Sequence, residues 1–219
     1  ISYLDQIIIA TTSKIEDKKI TKIAKKNNVK IFRGSENNII KRYHDAGKKY
    51  NLDVIMRITG DCPFISPDVM NILIKDHFRK NADFSLPKKA TIGSAGEIVN
   101  FKALKYIHNR IKNDKKITAY SEYFKFFFKN KKFNQKYNLT NLPKKLVTDY
   151  RLTVDYSSDL KVLNKLFKIL TFKKKEVNLI NLIDLIKKEP HIMRGNQVNT
   201  VIYRQKSFIN NINKVINDK

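Results

Sequence analysis

The sequence predicts an α/β fold, a mostly parallel sheet flanked by helices on both faces. Short apolar, β-branched runs alternate with helix-periodic stripes from Leu4 onward, and parallel strands need such crossover helices between them. At 219 residues with 42% hydrophobic content, the chain holds enough apolar surface for one well-buried domain and is short for two. No internal repeat and no linker composition interrupts it. Residues 1–219 therefore read as a single domain, with 191–219 as a peripheral C-terminal tail.

The elements follow in order. "LDQIIIATT", Leu4 to Thr12, is a strand, and "SKIE" after it gives Ser13 and Glu16 the spacing of a capping box for a helix from Ser13 to about Asn27. "VKIF" is a second strand. In "ENNIIKRYHDAGKKY", Ile39, Ile40, Tyr43, Ala46 and Tyr50 share one helical stripe. "DVIMRI" is a third strand, and Ser66-Pro67-Asp68 opens a helix with Ser at the N-cap and Pro in the first turn. "DFSL" and "GEIV" are strands around a loop holding Pro87, Gly93 and Gly96. "NFKALKYIHNRIKN" and "ITAYSEYFKFFFKN" are helices, "RLTVD" (Arg151 to Asp155) is a last strand, and "SSDLKVLNKLFKIL" is a helix with Leu160, Leu163, Leu166, Phe167 and Leu170 on one side. "NTVIYR" and a terminal helix complete the tail.

Composition narrows the class. Cys62 is the single cysteine, so no internal disulfide or thiolate metal cluster can form, which fits a reducing cytoplasm. No apolar run has the length of a membrane span, and no charged stretch with an apolar signal core opens the sequence. The net charge of +25 invites a nucleic-acid reading, but only eight of the 45 basic residues are Arg and the Lys are scattered as pairs. Nucleic-acid readers concentrate charge on one face and add a recognisable module or stacking aromatics. The charge here reads as solvated surface, with no specific nucleic-acid partner expected.

Two carboxylates stand out. "RITGD" and "RLTVD" each end a strand-like run on an aspartate, Asp61 and Asp155, 94 positions apart. In open α/β sheets, ligands bind beyond the carboxyl ends of the strands, and Mg²⁺ at phosphate-transfer sites is commonly held by one or two carboxylates plus phosphate and water oxygens. Gly60 permits close approach of backbone to a ligand, and Pro63 stops onward pairing. Each aspartate is also what a turn or helix cap requires, so the spacing leaves a metal pair and two loop caps as competing readings.

The wording of the motifs goes further. "FRGSENNIIKRYHDAGKKYNLDVIMRITGDCPFISPDVMN", Phe32 to Asn71, closely resembles the cytidylyltransferases of the spore-coat polysaccharide biosynthesis type, relatives of the CMP-Kdo and acylneuraminate synthetases. That family carries an R-G-S-E segment, then T-G-D-C-P, then R-x-T-V-D, here "RLTVDYSSDLKVL". The likeness covers most of residues 4–170. Three departures accompany it. The family's opening strand, its Gly- and Arg-rich loop and the helix behind it have no counterpart, so an upstream segment is expected to supply them. "SEYFKFFF" stands where members often have E-H-V-T, and Tyr156-Ser157 replaces a Thr-x pair.

The resemblance implies transfer of CMP from CTP to a sugar acid, with Asp61 and Asp155 holding Mg²⁺ and serving catalysis. It implies that Arg33, Ser35 and Arg42 border the nucleotide and sugar pocket, that Arg57, on the strand leading to the metal, binds substrate together with Thr59 and Gly60, and that Glu97 lies near the acceptor. For the arginines a structural ion pair competes with a ligand contact. A homodimer is expected, since related synthetases often pair. A glycosyltransferase of similar fold is the nearest competing class, but it would show a D-x-D pair where this chain has Gly60-Asp61-Cys62-Pro63. An inactive remnant and a basic nucleic-acid-binding protein are the other two.

Other conspicuous residues read structurally. His44, His77, His108 and His191 have no metal-ligand spacing. Cys62 has no histidine beside it and reads as a small buried neighbour, not a nucleophile. Phe124, Phe126, Phe127 and Phe128 read as core or as a dimer surface.

Overall fold

Alternating strands and helices carry the chain through its first eighty residues in the computed structural model, which describes residues 1, 3–196 and 206–217. β1 (Ile8–Thr12), α1 (Lys18–Lys26), β2 (Lys30–Gly34), α2 (Ile39–Lys49), β3 (Val54–Arg57) and α3 (Pro67–Arg79) follow one another. β4 (Phe84–Pro87), β5 (Glu97–Asn100), α4 (Phe101–Ile111), α5 (Lys115–Thr118), α6 (Phe124–Lys129), β6 (Tyr137–Thr140), α7 (Ser157–Phe172), α8 (Leu179–Lys188) and α9 (Lys206–Asn217) complete the described elements.

Local chemistry explains most boundaries. Asn38 caps α2 by accepting from the Lys41 N–H, and Ser66 caps α3 by accepting from Val69 N–H ahead of Pro67. The capping box at Ser13 and Glu16 does not form. Asp17 caps α1 in sequence, but its carboxylate turns back to the strand and accepts from both threonine hydroxyls of Thr11 and Thr12 and from the Thr12 amide. Three donors converging on one carboxylate outbid a helix cap, and they hold the Asp17 carboxyl down at about 2. Ser13 instead bonds the Gly34 carbonyl through both its amide and its hydroxyl, and α1 starts at Lys18.

The strands form two sheets. β1 and β2 pair in parallel, and the second sheet has the order β3-β5-β4-β6. β5 is antiparallel to both β3 and β4, while β6 runs parallel to β4. β3, β4 and β6 thus share one direction, with β5 reversed among them. The period-2 alternation sorts side chains to two faces. Ile55, Phe84 and Val99 face a core built with α2, α4, α6 and α9. Val54, Met56 and Ile98 face Met70, Leu73 and Ile74 of α3. A third cluster, under α7 and α8, gathers Phe64, Leu152, Leu163, Leu166, Leu182 and Ile186.

Several expectations are corrected. "RLTVD" is no regular strand: Arg151 forms an isolated parallel bridge to Ile92, and its neighbours bond to loop residues. Gly93 makes that approach possible, since it sits at φ +83° and a Cβ there would come within 2.5 Å of the Leu152 carbonyl oxygen. The expected helix "ITAYSEYFKFFFKN" breaks between α5 and α6, because Phe124, Phe127 and Phe128 turn into the first core and are essentially buried. Those aromatics are core, not a dimer face. β6 and α8 had not been expected. The proposed strand "NTVIYR" lies outside the described residues. Within 191–219, Ile192 and Met193 belong to the third cluster and Ile212 and Ile216 to the first.

The two sheets leave a gap between β1 and β3. Among the described residues β1 pairs only with β2, and β3 only with β5. A cleft of about 640 Å³ lies between them, lined by Ile8 and Ala10 of β1 and by Val54 and Met56 of β3.

Candidate functional site

Asp61 follows β3 by a short turn in which the Cys62 N–H donates to the Thr59 carbonyl over 3.2 Å. Pro63 has no N–H to extend the ladder, so the chain leaves the sheet here. The Asp61 carbonyl accepts the Val154 N–H at 2.8 Å. The Thr153 hydroxyl lies 3.2 Å from both that carbonyl and Oδ2 of Asp61. Asp155 is the next residue after Val154, so this cross-link sets the two sequence-predicted aspartates on adjoining segments.

Asp155 is itself held. Buried Arg151 donates Nη2 to Oδ2 of Asp155, and Nε and Nη2 to the two oxygens of Asp159 at 3.2 and 3.3 Å. Burial works against the guanidinium charge, but the carboxylates of Asp159 and Asp155 outweigh it and raise the Arg151 pKa. Asp159 Oδ2 also accepts the amides of Asp155 and Tyr156 at 3.0 Å each, which fixes the entry into α7. Four-residue spacing puts Arg151, Asp155 and Asp159 in one network. Arg151, Thr153 and Asp159 were not singled out as site residues, although "R-x-T-V-D-x-x-x-D" carries the interval.

The remaining predicted residues fall into two further groups. Arg33 donates to the carbonyls of Thr12 and Lys14 at 3.1 and 2.5 Å, tying β2 to the loop after β1. Arg42 donates to the Ser35 carbonyl at 2.9 Å, and the Ser35 hydroxyl accepts the Asn38 N–H. Burial lowers the Arg42 pKa, with the nearby Arg57 charge adding to it, and Nε of Arg42 is a buried donor without a partner. Arg57 pairs with Glu97 at 2.6 Å, and its guanidinium sits 4.6 Å from the centre of the Phe124 ring. Arg33, Ser35, Arg42, Arg57 and Glu97 therefore all have structural partners, and Nε of Arg57, like that of Arg42, is a buried donor without one.

Thr59, Gly60 and Cys62 frame Asp61. The Thr59 hydroxyl lies 3.4 Å from Cys62 Sγ, and a Cβ on Gly60 would meet nothing within 4 Å, so the backbone beside Asp61 faces open space. Burial raises the Cys62 pKa, in keeping with a thiol and against a nucleophile. His44 and His108 stack at 4.2 Å, and His77 bonds Ser85 and Asn100. No group of three or more His, Cys, Asp or Glu is placed to hold a metal among the described residues. Two aspartates completed by phosphate oxygens suit a hard, oxygen-seeking divalent cation. A cleft of about 520 Å³ opens beside Gly60 and Asp61, walled by Phe64, Leu160, Asn164, Phe167 and Val177. Leu160 and Phe167, expected on the buried stripe of α7, are each 49% exposed at this cleft. No helix of the described residues is long and apolar enough to cross a membrane.

Comparison with known proteins places the chain in a family. The cytidylyltransferase family model matches residues 1–208. The uncharacterised protein MJ1063 of Methanocaldococcus jannaschii is 32% identical over 206 residues, covering 94% of this chain and 81% of that protein. The spore coat polysaccharide biosynthesis protein SpsF of Bacillus subtilis is 28% identical over 187 residues, 85% of this chain and 76% of that one. The solved structure of a cytidylyltransferase from Leptospira borgpetersenii serovar Hardjo-bovis superposes with a TM-score of 0.73 at 28% identity, covering 85% of this chain and 78% of the other.

Proposed function

Because the chain belongs to the cytidylyltransferase family and is a nucleotidyltransferase, we propose that it transfers CMP from CTP to a hydroxyl of a sugar acid in the cytoplasm, supplying surface polysaccharide assembly. The observation that carries this reading is the Asp61 carbonyl to Val154 N–H bond, which brings Asp61 and Asp155 onto adjoining segments beside an open cleft. The acceptor oxygen forms a bond to the α-phosphorus, the bridge to the β-phosphate breaks, and pyrophosphate leaves while the acceptor proton passes to solvent. Asp61 and Asp155 are the residues that would hold Mg²⁺, which when bound screens phosphate charge and acidifies the hydroxyl.

The protein's own contribution is positioning. Thr153 fixes the Asp61 carboxylate and Arg151 the Asp155 carboxylate, so both are oriented before substrate arrives. Gly60 leaves room for phosphate oxygens at the turn. Arg42 and Arg57 each keep a buried Nε without a partner, so that feature favours neither over the other for a ligand contact. Pyrophosphate release measured with CTP, ATP, GTP and UTP, with and without Mg²⁺, over a panel of sugar acids tests the reading. Release specific to CTP and Mg²⁺ supports it. Tight oligonucleotide binding that survives Asp61→Ala, with no release from any nucleotide, overturns it.

A further inference from the structure

We propose that the cleft beside Asp61 is a subsite for a short apolar substituent on the acceptor, a methyl or acyl group, an inference that rests on the acceptor chemistry proposed above. α7 buries Val162, Leu163, Leu166 and Leu170 against the third core. Leu160 and Phe167 are two turns apart on the same helix, so they share a side, and both stand half exposed. Phe64 and Val177 complete an apolar wall around the same space. Single exposed hydrophobes are ordinary, but a contiguous apolar cleft marks a binding surface.

Two features fix the occupant. The cleft is continuous with Asp61, so whatever fills it lies next to the acceptor hydroxyl. Asn164 sits one turn from both Leu160 and Phe167 on that lining, and its amide both donates and accepts a hydrogen bond. An apolar group beside one hydrogen-bonding function matches that pattern, whereas a bare polyol would lay hydroxyls against Leu160 and Phe167.

Paired acceptors test this: glucuronic acid against its 2-O-methyl and 2-acetamido forms, and a nonulosonic acid with and without its acylamino group. The substituted member of a pair should show a KM roughly tenfold lower, and its methyl protons should receive the strongest saturation transfer from the protein in NMR. The 2-O-methyl and 2-acetamido arms separate the methyl from the acyl source. Phe167→Trp fills the cleft and Leu160→Gln makes it polar. Both positions are half exposed, and circular dichroism checks the fold. Each variant should raise the KM of the substituted acceptor roughly tenfold, erase its methyl signal, and leave the KM for CTP and for the unsubstituted acceptor unchanged. Equal effects on both members, or no methyl signal from any probe, would overturn the proposal. So would a loss of dimer on sedimentation with KM unchanged, which would show that a second copy covers the stripe. If no acid supports pyrophosphate release, the functional reading fails, and the methyl signal then decides the cleft independently.

Discussion

Arg57 and Glu97 face each other in the antiparallel register of β3 and β5 and close an ion pair of 2.6 Å. The pair lies under Tyr43 and Phe124, with side-chain exposures of 12% and 18%. Burial disfavours the Arg57 charge, but the Glu97 carboxylate more than offsets this and raises its pKa. Glu97→Gln leaves that guanidinium poorly compensated. We expect a loss of about 3 kcal/mol in urea unfolding. A change in acceptor KM with stability intact would mean instead that Glu97 serves the acceptor alone.

On the proposed reading of Asp61 and Asp155 as metal ligands, Asp61→Asn and Asp155→Asn should each lower the rate of CTP-dependent pyrophosphate release by more than about a hundredfold, because direct ligands outweigh the outer partners of metal sites. Asp61→Asn should change stability by no more than about 0.5 kcal/mol, as its carboxylate is partly exposed and among the described residues accepts from Thr153 and weakly from Cys62. A variant that keeps its rate removes that aspartate from the metal reading.

Arg151→Met strips the counter-charge from Asp159, which is fully buried. The expected cost is about 3–5 kcal/mol in urea unfolding. Arg151→Lys should recover part of it, because an ammonium cannot span both carboxylates as a planar fork does. A loss below 1 kcal/mol for the Met variant, or full recovery with Lys, would show that the network is not bidentate in solution.

Asp76 gives a pH signature. Hydrogen bonding by Asn138, opposed by burial and reinforced by Arg79 and Thr140, holds its carboxyl at about 2 against an ordinary 3.8. A depressed folded pKa means that the unfolded chain binds the proton first. The stabilisation is therefore whole above the unfolded pKa and is lost as pH falls from there toward 2. Urea midpoints taken between pH 5 and 2 should decline less steeply for Asp76→Asn than for the parent. Identical slopes would assign the acid sensitivity to other groups.

The alternation of elements was legible because β-branched runs and helical stripes are local signals, and so was the cap at Ser66, whereas the cap at Asn38 went unread. Ser13 and Glu16 misled because the competing interaction, Asp17 reaching back to Thr11 and Thr12, is itself a local pattern with no established signature. "RLTVD" looks like a strand in composition, yet its partners are the loop residues Ile92 and Asp61, and pairing is a long-range property. Asp61 and Asp155 could be named from motifs, but the Val154 bond that joins their segments could not. Leu160 and Phe167 fit a buried stripe by periodicity alone; their exposure depends on where Phe64 and Val177 leave space.

The separation of β1 and β2 from the larger sheet carries a consequence for motion. No backbone ladder among the described residues joins the two sheets, so opening the first costs none of the second's hydrogen bonds. Segments of this kind open as cooperative units of lower free energy than the global transition. Amides of Ile8–Thr12 and Lys30–Gly34 should accordingly exchange with deuterium as one early cohort, while those of Val54–Arg57 and Glu97–Asn100, locked between α3 and α4, persist until the whole molecule unfolds. Arg33 and Asp17 ride on the early cohort and Asp61 on the late one, so a ligand that bridges them would slow exchange in the former far more than in the latter.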